Sequence, residues 1–301
     1  MRDYASLIDK AFLYTEKYYY DRKLSDLSEW KDFKEKVDDI KSNISDDYEM
    51  NAVIYWYRKK LPLPKYEIQK NSIKKKKRNK EKSFAPKEIK NGTMLVDISN
   101  IPDKKDDMKN FFIEIQNKQC TTLIIDMRGR KKVQLASALL LTNHLVDYSA
   151  LWGAYLTQKG SNTFNPHPIS VEHEKRLENF WNYHNANDKL YRKPGFYVKT
   201  EPAVPFFKGE VYLIIDSETS GVSEALAIFL KNEKIATTVG QKSSGSPMLI
   251  EMVSVDKDYY LSLQVAQFFA RNGKSYKNKY IEPDRNVTDE DSLSYLLKMI
   301  N

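Results

Sequence analysis

The chain has 301 residues, room for one large domain or two modest ones and for a sizeable buried core. Hydrophobic residues make up 41% and charged residues 30%, with 20 Tyr, 13 Phe and 4 Trp, which excludes an intrinsically disordered chain. The net charge is +8, and residues 70–90 alone hold ten Lys or Arg against Glu81 and Glu88, so the rest of the chain is balanced and lacks the distributed basic face of a nucleic-acid binder.

Residues 3–60 read as helices. DYASLIDKAFLYTEKYYY and SEWKDFKEKVDDIKSNI repeat apolar residues at three- and four-residue spacing, with Ser28 or Ser25 expected to cap the second. DYEMNAVIYWYRKKL stops at Pro62 and Pro64. The basic run then reads as a solvated loop, with a nucleic-acid, membrane-surface or nuclear-import patch as its alternative. From Thr93 strands and helices alternate: TMLVDIS, DDMKNFFIEIQNK, TTLIIDM, VQLASALLLTNHLV, GEVYLIID, VSEALAIFLKN and KIATTVG. That alternation predicts parallel pairing and an α/β fold. Residues 160–205 read as irregular around a helical centre, EHEKRLENFWNYH. MLIEMVSVD and YYLSLQVAQFFA read as a hairpin, and DEDSLSYLLKMI as a closing helix.

Cys120 stands alone, so no intrachain disulfide forms and the redox compartment stays open. Residues 1–30 hold no apolar run of signal-peptide length and no later stretch is long enough to span a membrane. The expectation is a cytoplasmic chain unless a targeting segment has been removed. His167, His173 and His184 match no zinc spacing and no cofactor motif is present, so neither metal nor cofactor is expected. The turn at Lys242–Ser246 lacks the phosphate-loop spacing and reads as a polar turn.

Three stretches, in order, carry a resemblance. TTLIIDMRGR (121–130) is similar to a strand followed by D-L-R-G-N-G-G. VYLIIDSETSGVSEALAIFLKNEKIATTVGQKSSG (211–245) is similar to an elbow D-x-x-T-A-S-A-A-E, its helix, and a G-E-x-T-x-G turn. YIEPD (280–284) is similar to G-I-x-P-D. Together they resemble the tail-specific peptidase family, which includes the carboxy-terminal processing proteases, the tricorn core and the interphotoreceptor retinoid-binding modules. The resemblance implies a spiral of β-β-α units related to the Clp protease and crotonase folds. The expected organisation is a helical subdomain (1–64), a basic connection (65–92) and the peptidase-like core (93–301). About thirty residues between the first and last leave no room for a PDZ domain.

The same resemblance assigns the site. The family's nucleophilic Ser lies three residues before the Glu matched by Glu224, and Asp216 and Thr219 fix the register from the other side, so the nucleophile position is Gly221. In the branch that uses a Ser-Lys pair the base position is Ser246. In the branch that uses His, the best-matching place is Lys65. Of the paired glycines whose amides serve the oxyanion, Gly129 remains, followed by Arg130, Lys131 and Lys132. Peptide hydrolysis by this route needs a hydroxyl at the elbow and a base within reach.

The implied reading is a non-catalytic relative that takes a peptide tail, or another extended or apolar ligand, in the former substrate cleft by strand addition. Lys65, Arg128 and Arg130 are expected to engage a terminal carboxylate beside Gly129 and Thr219. An Asp126–Arg128 ion pair without function is the other reading of Arg128. The alternatives are an active serine peptidase using Ser220 with Lys242 as base, and a scaffold or nucleic-acid-associated protein using residues 74–82. Ser220 also reads as the cap of the helix that follows it.

Overall fold

The computed structural model describes residues 2–61, 63, 66–71, 86–90, 92–163, 176–185 and 189–300. Three helices open it: α1 (Tyr4–Tyr18), α2 (Ser28–Asp38) and α3 (Asp47–Tyr57). The Asp3 carboxylate caps α1 by accepting from the Ser6 amide (2.9 Å), and Asp46 caps α3 by accepting from Glu49 (2.8 Å). Neither Ser25 nor Ser28 caps α2. Its N-cap is Leu27, which offers no side-chain oxygen, and the Ser28 hydroxyl turns to Glu29 instead.

Short strands β1 (Glu67–Lys70) and β2 (Lys87–Lys90) precede β3 (Thr93–Asp97), α4 (Lys105–Asn117), β4 (Thr122–Asp126) and α5 (Leu135–Asn143). Next come β5 (Leu151–Thr157), α6 (Gln158–Thr163), β6 (Glu178–Asn179), α7 (Phe180–Asn185) and β7 (Gly195–Lys199). The stretch expected to be irregular therefore carries strands. The misreading has a physical source: β6 is only two residues long, and β7, GFYVK, is too short for its alternation of buried Phe196 and Val198 with half-buried Tyr197 and Lys199 to stand out. The chain ends with β8 (Glu210–Ile215), α8 (Val222–Asn232), β9 (Ala236–Gly240), β10 (Met248–Ser254), β11 (Tyr259–Ala270), β12 (Arg285–Asn286) and α9 (Ser292–Met299).

Two sheets result. The first has the order β12–β9–β8–β4–β3–β2, parallel except for β2, as the alternating pattern predicts. Its residues alternate between two cores. Leu123, Ile125, Leu213 and Ile215 face the main core, while Ile124, Ile214, Tyr212 and Val239 face Leu296 of α9. The second sheet has the order β1–β11–β5–β7–β6, with β10 pairing the other side of β11 as the expected hairpin.

The main core also takes in the N-terminal helices. Trp30 and Phe33 of α2 meet the buried Tyr66 ring edge-on at 6.0 and 5.8 Å, and the Tyr20 amide donates to the Gln264 carbonyl of β11 at 3.2 Å. Trp152 of β5 stacks on Phe229 of α8 at 5.0 Å, fixing the elbow helix against the second sheet. Among the described residues, no helix is long and apolar enough to cross a membrane.

His144 follows α5 and is buried. Its Nδ1–H donates to the Pro205 carbonyl (2.6 Å), and its ring stacks on Phe112 at 4.5 Å. Burial pushes the imidazole below its usual 6.5. As pH falls through that value, the unfolded ring takes a proton that the folded ring refuses, so this stability is lost towards acid. The stability advantage of the wild type over His144→Gln is expected to shrink between pH 7.5 and 5.5 in urea denaturation. A constant difference across that range removes His144 as the titrating group.

Candidate functional site

The site is the turn between β8 and α8, where the parallel sheet delivers its C-terminal strand ends. Ligands bind at such ends in open α/β sheets. Asp216 leaves β8 and organises the turn. Its Oδ1 accepts from the amides of Glu218 (3.0 Å) and Thr219 (2.9 Å). Thr219 is buried, and its hydroxyl accepts from the Asp216 amide (3.0 Å) and donates to the Met127 carbonyl at the end of β4 (3.1 Å). The expected ligand contact Thr219 is thus an internal brace.

Gly221 follows at φ 64°, ψ −132°, a conformation that side-chain-bearing residues adopt only under strain and that sharp nucleophile turns use. Its amide donates to the Ser246 carbonyl at 2.9 Å, so the two positions assigned to nucleophile and base are neighbours in space. A Cβ built on Gly221 meets only the Met248 carbonyl oxygen, at 3.6 Å, an ordinary contact. The backbone of the elbow is present, and the space for a side chain is present, but the residue has none.

Ser220, expected as a cap or an alternative nucleophile, is neither capping nor paired. The N-cap of α8 is Gly221 and no side chain bonds the first helical amides. Lys242, its suggested base, places its ammonium 4.7 Å over the Tyr280 ring. Among the described residues nothing hydrogen-bonds the Ser220 hydroxyl. Ser246 offers a hydroxyl, with Gln264 Nε2 at 3.4 Å, where the Ser-Lys branch has an amine. The base position Lys65 and the basic run 74–82 lie outside the described residues, as do His167 and His173.

Gly129, expected from the sequence on the oxyanion side, already has a partner. The Gly129 amide donates to Asp216 Oδ2 at 2.9 Å, so a carboxylate occupies the donor that would greet an oxyanion. Arg128, expected on a ligand carboxylate, is held by two carboxylates of the chain itself. Its Nε and Nη2 reach Asp126 (3.0 and 2.9 Å), and Nη1 reaches Asp291 (2.6 Å), the cap of α9. The Asp126–Arg128 pair is the other reading the sequence offered, and with Asp291 it ties the C-terminal helix to β4. The Asp126 carboxylate, joined by Asp291, raises the Arg128 pKa further above its already high value. Lys131 closes the network on Asp97 (2.9 Å). Arg130 is exposed and pairs with exposed Glu218 at 3.1 Å, an arrangement solvent exchanges readily.

Glu224 is the residue whose role the sequence pattern did not disclose. It sits fully buried in the first turn of α8 and binds the turn 243–246. Oε1 accepts from the Ser243 hydroxyl and the Gly245 amide (2.8 Å). Oε2 accepts from the Ser246 amide (2.7 Å) and the Ser244 hydroxyl (3.2 Å). Ser243 in turn accepts from the Ile281 amide at 2.7 Å, and Asp284 accepts from the Thr238 amide (2.9 Å) and hydroxyl (2.8 Å). A lone Glu in the apolar run VSEALAIFL was the available signal, since buried carboxylates occur where partners await them. Burial outweighs these donors and lifts the Glu224 pKa above its usual 4.5.

The fold is mixed α/β, two sheets with helices packed against them. A family profile described as Peptidase family S41 matches residues 92–287, and the chain belongs to that family. Among solved structures it is similar to a "putative peptidase" from Parabacteroides merdae, with 11% identity, TM-score 0.64, and coverage of 100% of this chain and 97% of the other. It is also similar to a lipoprotein from Streptococcus agalactiae, with 12% identity, TM-score 0.62, and coverage of 99% and 96%. At these identities the likeness is one of fold. A search of curated proteins found no match.

Proposed function

We propose that this S41-family chain performs no peptide hydrolysis and binds an extended peptide segment beside the empty elbow. The observation that carries the reading is Gly221: the elbow conformation is kept while the residue presents only a hydrogen. Acyl transfer needs a covalent nucleophile, so the route is closed at its first step. The Gly129–Asp216 bond supports the same conclusion independently, because it spends the amide an oxyanion needs.

The binding half of the proposal rests on β10. Among the described residues β10 pairs in the sheet only with β11, and on it the single turn Leu190–Arg192 rests through the Leu190 amide, which donates to Glu251 (3.3 Å). Strand β10 begins at Met248, whose carbonyl faces the vacant position on Gly221, and it exposes Ile250 and Met252. An extended peptide adds to a strand edge through main-chain hydrogen bonds, with alternate side chains supplying preference. Arg130 is the cation best placed by exposure to meet a terminal carboxylate, its present partner being a surface pair.

Fluorescence anisotropy with C-terminal peptides, free and amidated, tests the reading. The free acids are expected to bind about tenfold more tightly, equivalent to about 1.4 kcal/mol. Ile250→Lys with Met252→Lys is expected to weaken both sets, since edge lysines oppose strand addition. Equal binding of acids and amides removes the carboxylate contact. Binding unchanged by the lysines removes β10, and hydrolysis of any peptide by the wild type overturns the non-catalytic reading.

A further inference from the structure

The turn that Glu224 holds is one half of a basic surface beside the elbow. Residues 241–246 (QKSSGS) and 271–280 (RNGKSYKNKY) carry five Lys or Arg and no Asp or Glu. The fold brings the two stretches together. The Asn278 amide donates to the Gly245 carbonyl at 2.8 Å, and the Ser243 amide donates to the Ile281 carbonyl at 3.1 Å. The Ser246 carbonyl accepts from the Gly221 amide at 2.9 Å, so this surface adjoins the elbow directly.

Two of the five cations are used within the fold. Lys277 pairs with Asp21 at 2.7 Å, and Arg271 reaches Glu233 at 3.6 Å. The other three, Lys242, Lys274 and Lys279, are exposed, and among the described residues no carboxylate pairs with them. Lys242 lies 4.7 Å over the Tyr280 ring and Lys274 lies 4.9 Å over the Tyr276 ring. A ring face holds an ammonium group in place without neutralising it. The carboxylates of the elbow and of the YIEPD segment are mostly engaged. Asp216 accepts from three amides, Glu218 pairs with Arg130, Glu224 is buried under its four donors, and Asp284 pairs with Lys231. Glu282 remains, exposed, and exposed Arg285 follows it. Positive charge is therefore in excess where the turn 243–246 leads into β10.

That excess selects an anionic partner of modest charge. A nucleic-acid site makes about six to ten phosphate contacts, more than three lysines supply. Lysines also occupy one face of each ring on which bases would stack. A peptide suits the surface better, because Met248 opens β10 two residues after Ser246, and a chain lying along β10 passes from the strand onto the turn that carries Lys242. Complementary charge at such a rim governs which partner is accepted.

We propose that the partner is an acidic peptide, whose Asp or Glu side chains meet Lys242, Lys274 and Lys279. The inference rests on the peptide-binding reading above and adds the composition of the peptide. Fluorescence anisotropy on the full chain tests it with peptides that share one C-terminal sequence and carry Glu, Gln or Lys in the residues before it. The Glu peptide is expected to bind about fivefold more tightly than the Gln peptide, and the Lys peptide most weakly. The Glu-to-Gln ratio should shrink with added salt. In Lys242→Ala with Lys279→Ala the ratio is expected to fall towards one, and circular dichroism checks that this variant is folded. If Glu and Gln peptides bind alike, the acidic preference is overturned while peptide binding stands. If none of the peptides binds, the reading beneath it falls as well. A Glu preference untouched by the two substitutions also overturns the inference, because the cations responsible then lie elsewhere in the chain. So does a single-stranded oligonucleotide that outcompetes the Glu peptide and loses its binding in the same variant, which assigns the surface to nucleic acid.

Discussion

Replacing Glu224 by alanine is expected to lower the unfolding free energy by about 3–5 kcal/mol, with Tm falling by roughly 10 °C. The argument is a count of donors. Two hydroxyls and two backbone amides, from Ser243, Ser244, Gly245 and Ser246, converge on this buried carboxylate. A hydroxyl can turn elsewhere, but the two amides are left without acceptors, and each such loss costs about 1–3 kcal/mol when buried. Glu224→Gln keeps the shape but presents an NH2 to two donors, so an intermediate loss of about 2 kcal/mol is expected. The pH dependence distinguishes the pair. Because burial raises the folded pKa, the unfolded carboxyl ionises first, and the stability from this group is complete below about 4.5 and lost as pH rises through the folded value. Wild type should therefore gain on Glu224→Gln as pH falls from 7.5 towards 4.5, read by urea midpoints. A loss under about 1 kcal/mol in the alanine variant means that the turn is held by something other than this carboxylate.

The same network shows what the motif residues around the elbow do for the fold. Asp216 and Thr219 join the β8 turn to the end of β4 through Gly129 and Met127. Glu224 joins α8 to the turn 243–246, and Ser243 passes that link to Ile281 of the third motif. Asp284 ties the motif to β9 and, through Lys231, to α8. These residues hold strand ends together whether or not a peptide is cut.

This division also sets what the sequence disclosed. The parallel sheet was legible because strand, helix and strand alternated with their periods intact from Thr93 to Gly240. The turn after β8 was legible because Asp216, Thr219 and Glu224 mark where the strand ends and the helix begins. Strand β5 was not legible, being buried on both faces, and β7 was too short to declare its period. The engagement of Gly129 by Asp216 and of Arg128 by Asp291 was hidden for another reason. These contacts join residues 87 and 163 positions apart, and no local pattern encodes which cation meets which anion. Arg128 illustrates the consequence: its pairing with Asp126, two residues away, was open to reading from the sequence, while its bond to Asp291 was not.

Restoring catalysis is the sharpest test of the site. Gly221→Ser alone is expected to show no peptide hydrolysis and no fluorophosphonate labelling. The variant should fold, because its Cβ meets nothing nearer than 3.6 Å, at a cost of about 1–3 kcal/mol for a side chain at this positive φ. Its hydroxyl would still lack a base, since position 246 offers only another hydroxyl. Adding Ser246→Lys supplies an amine on the residue whose carbonyl already bonds Gly221, and a correctly held base contributes about 10²–10⁴-fold. Labelling of Gly221→Ser/Ser246→Lys is therefore expected to exceed that of either single variant by about that factor. Peptide turnover should remain slow even then, because the Gly129 amide stays with Asp216 and one lost oxyanion donor costs about 10²–10³ in kcat. Turnover from Gly221→Ser alone would show that a base other than position 246 already serves the elbow. A double variant that folds yet resists labelling would show that nearness of the two backbones does not bring the two side chains together.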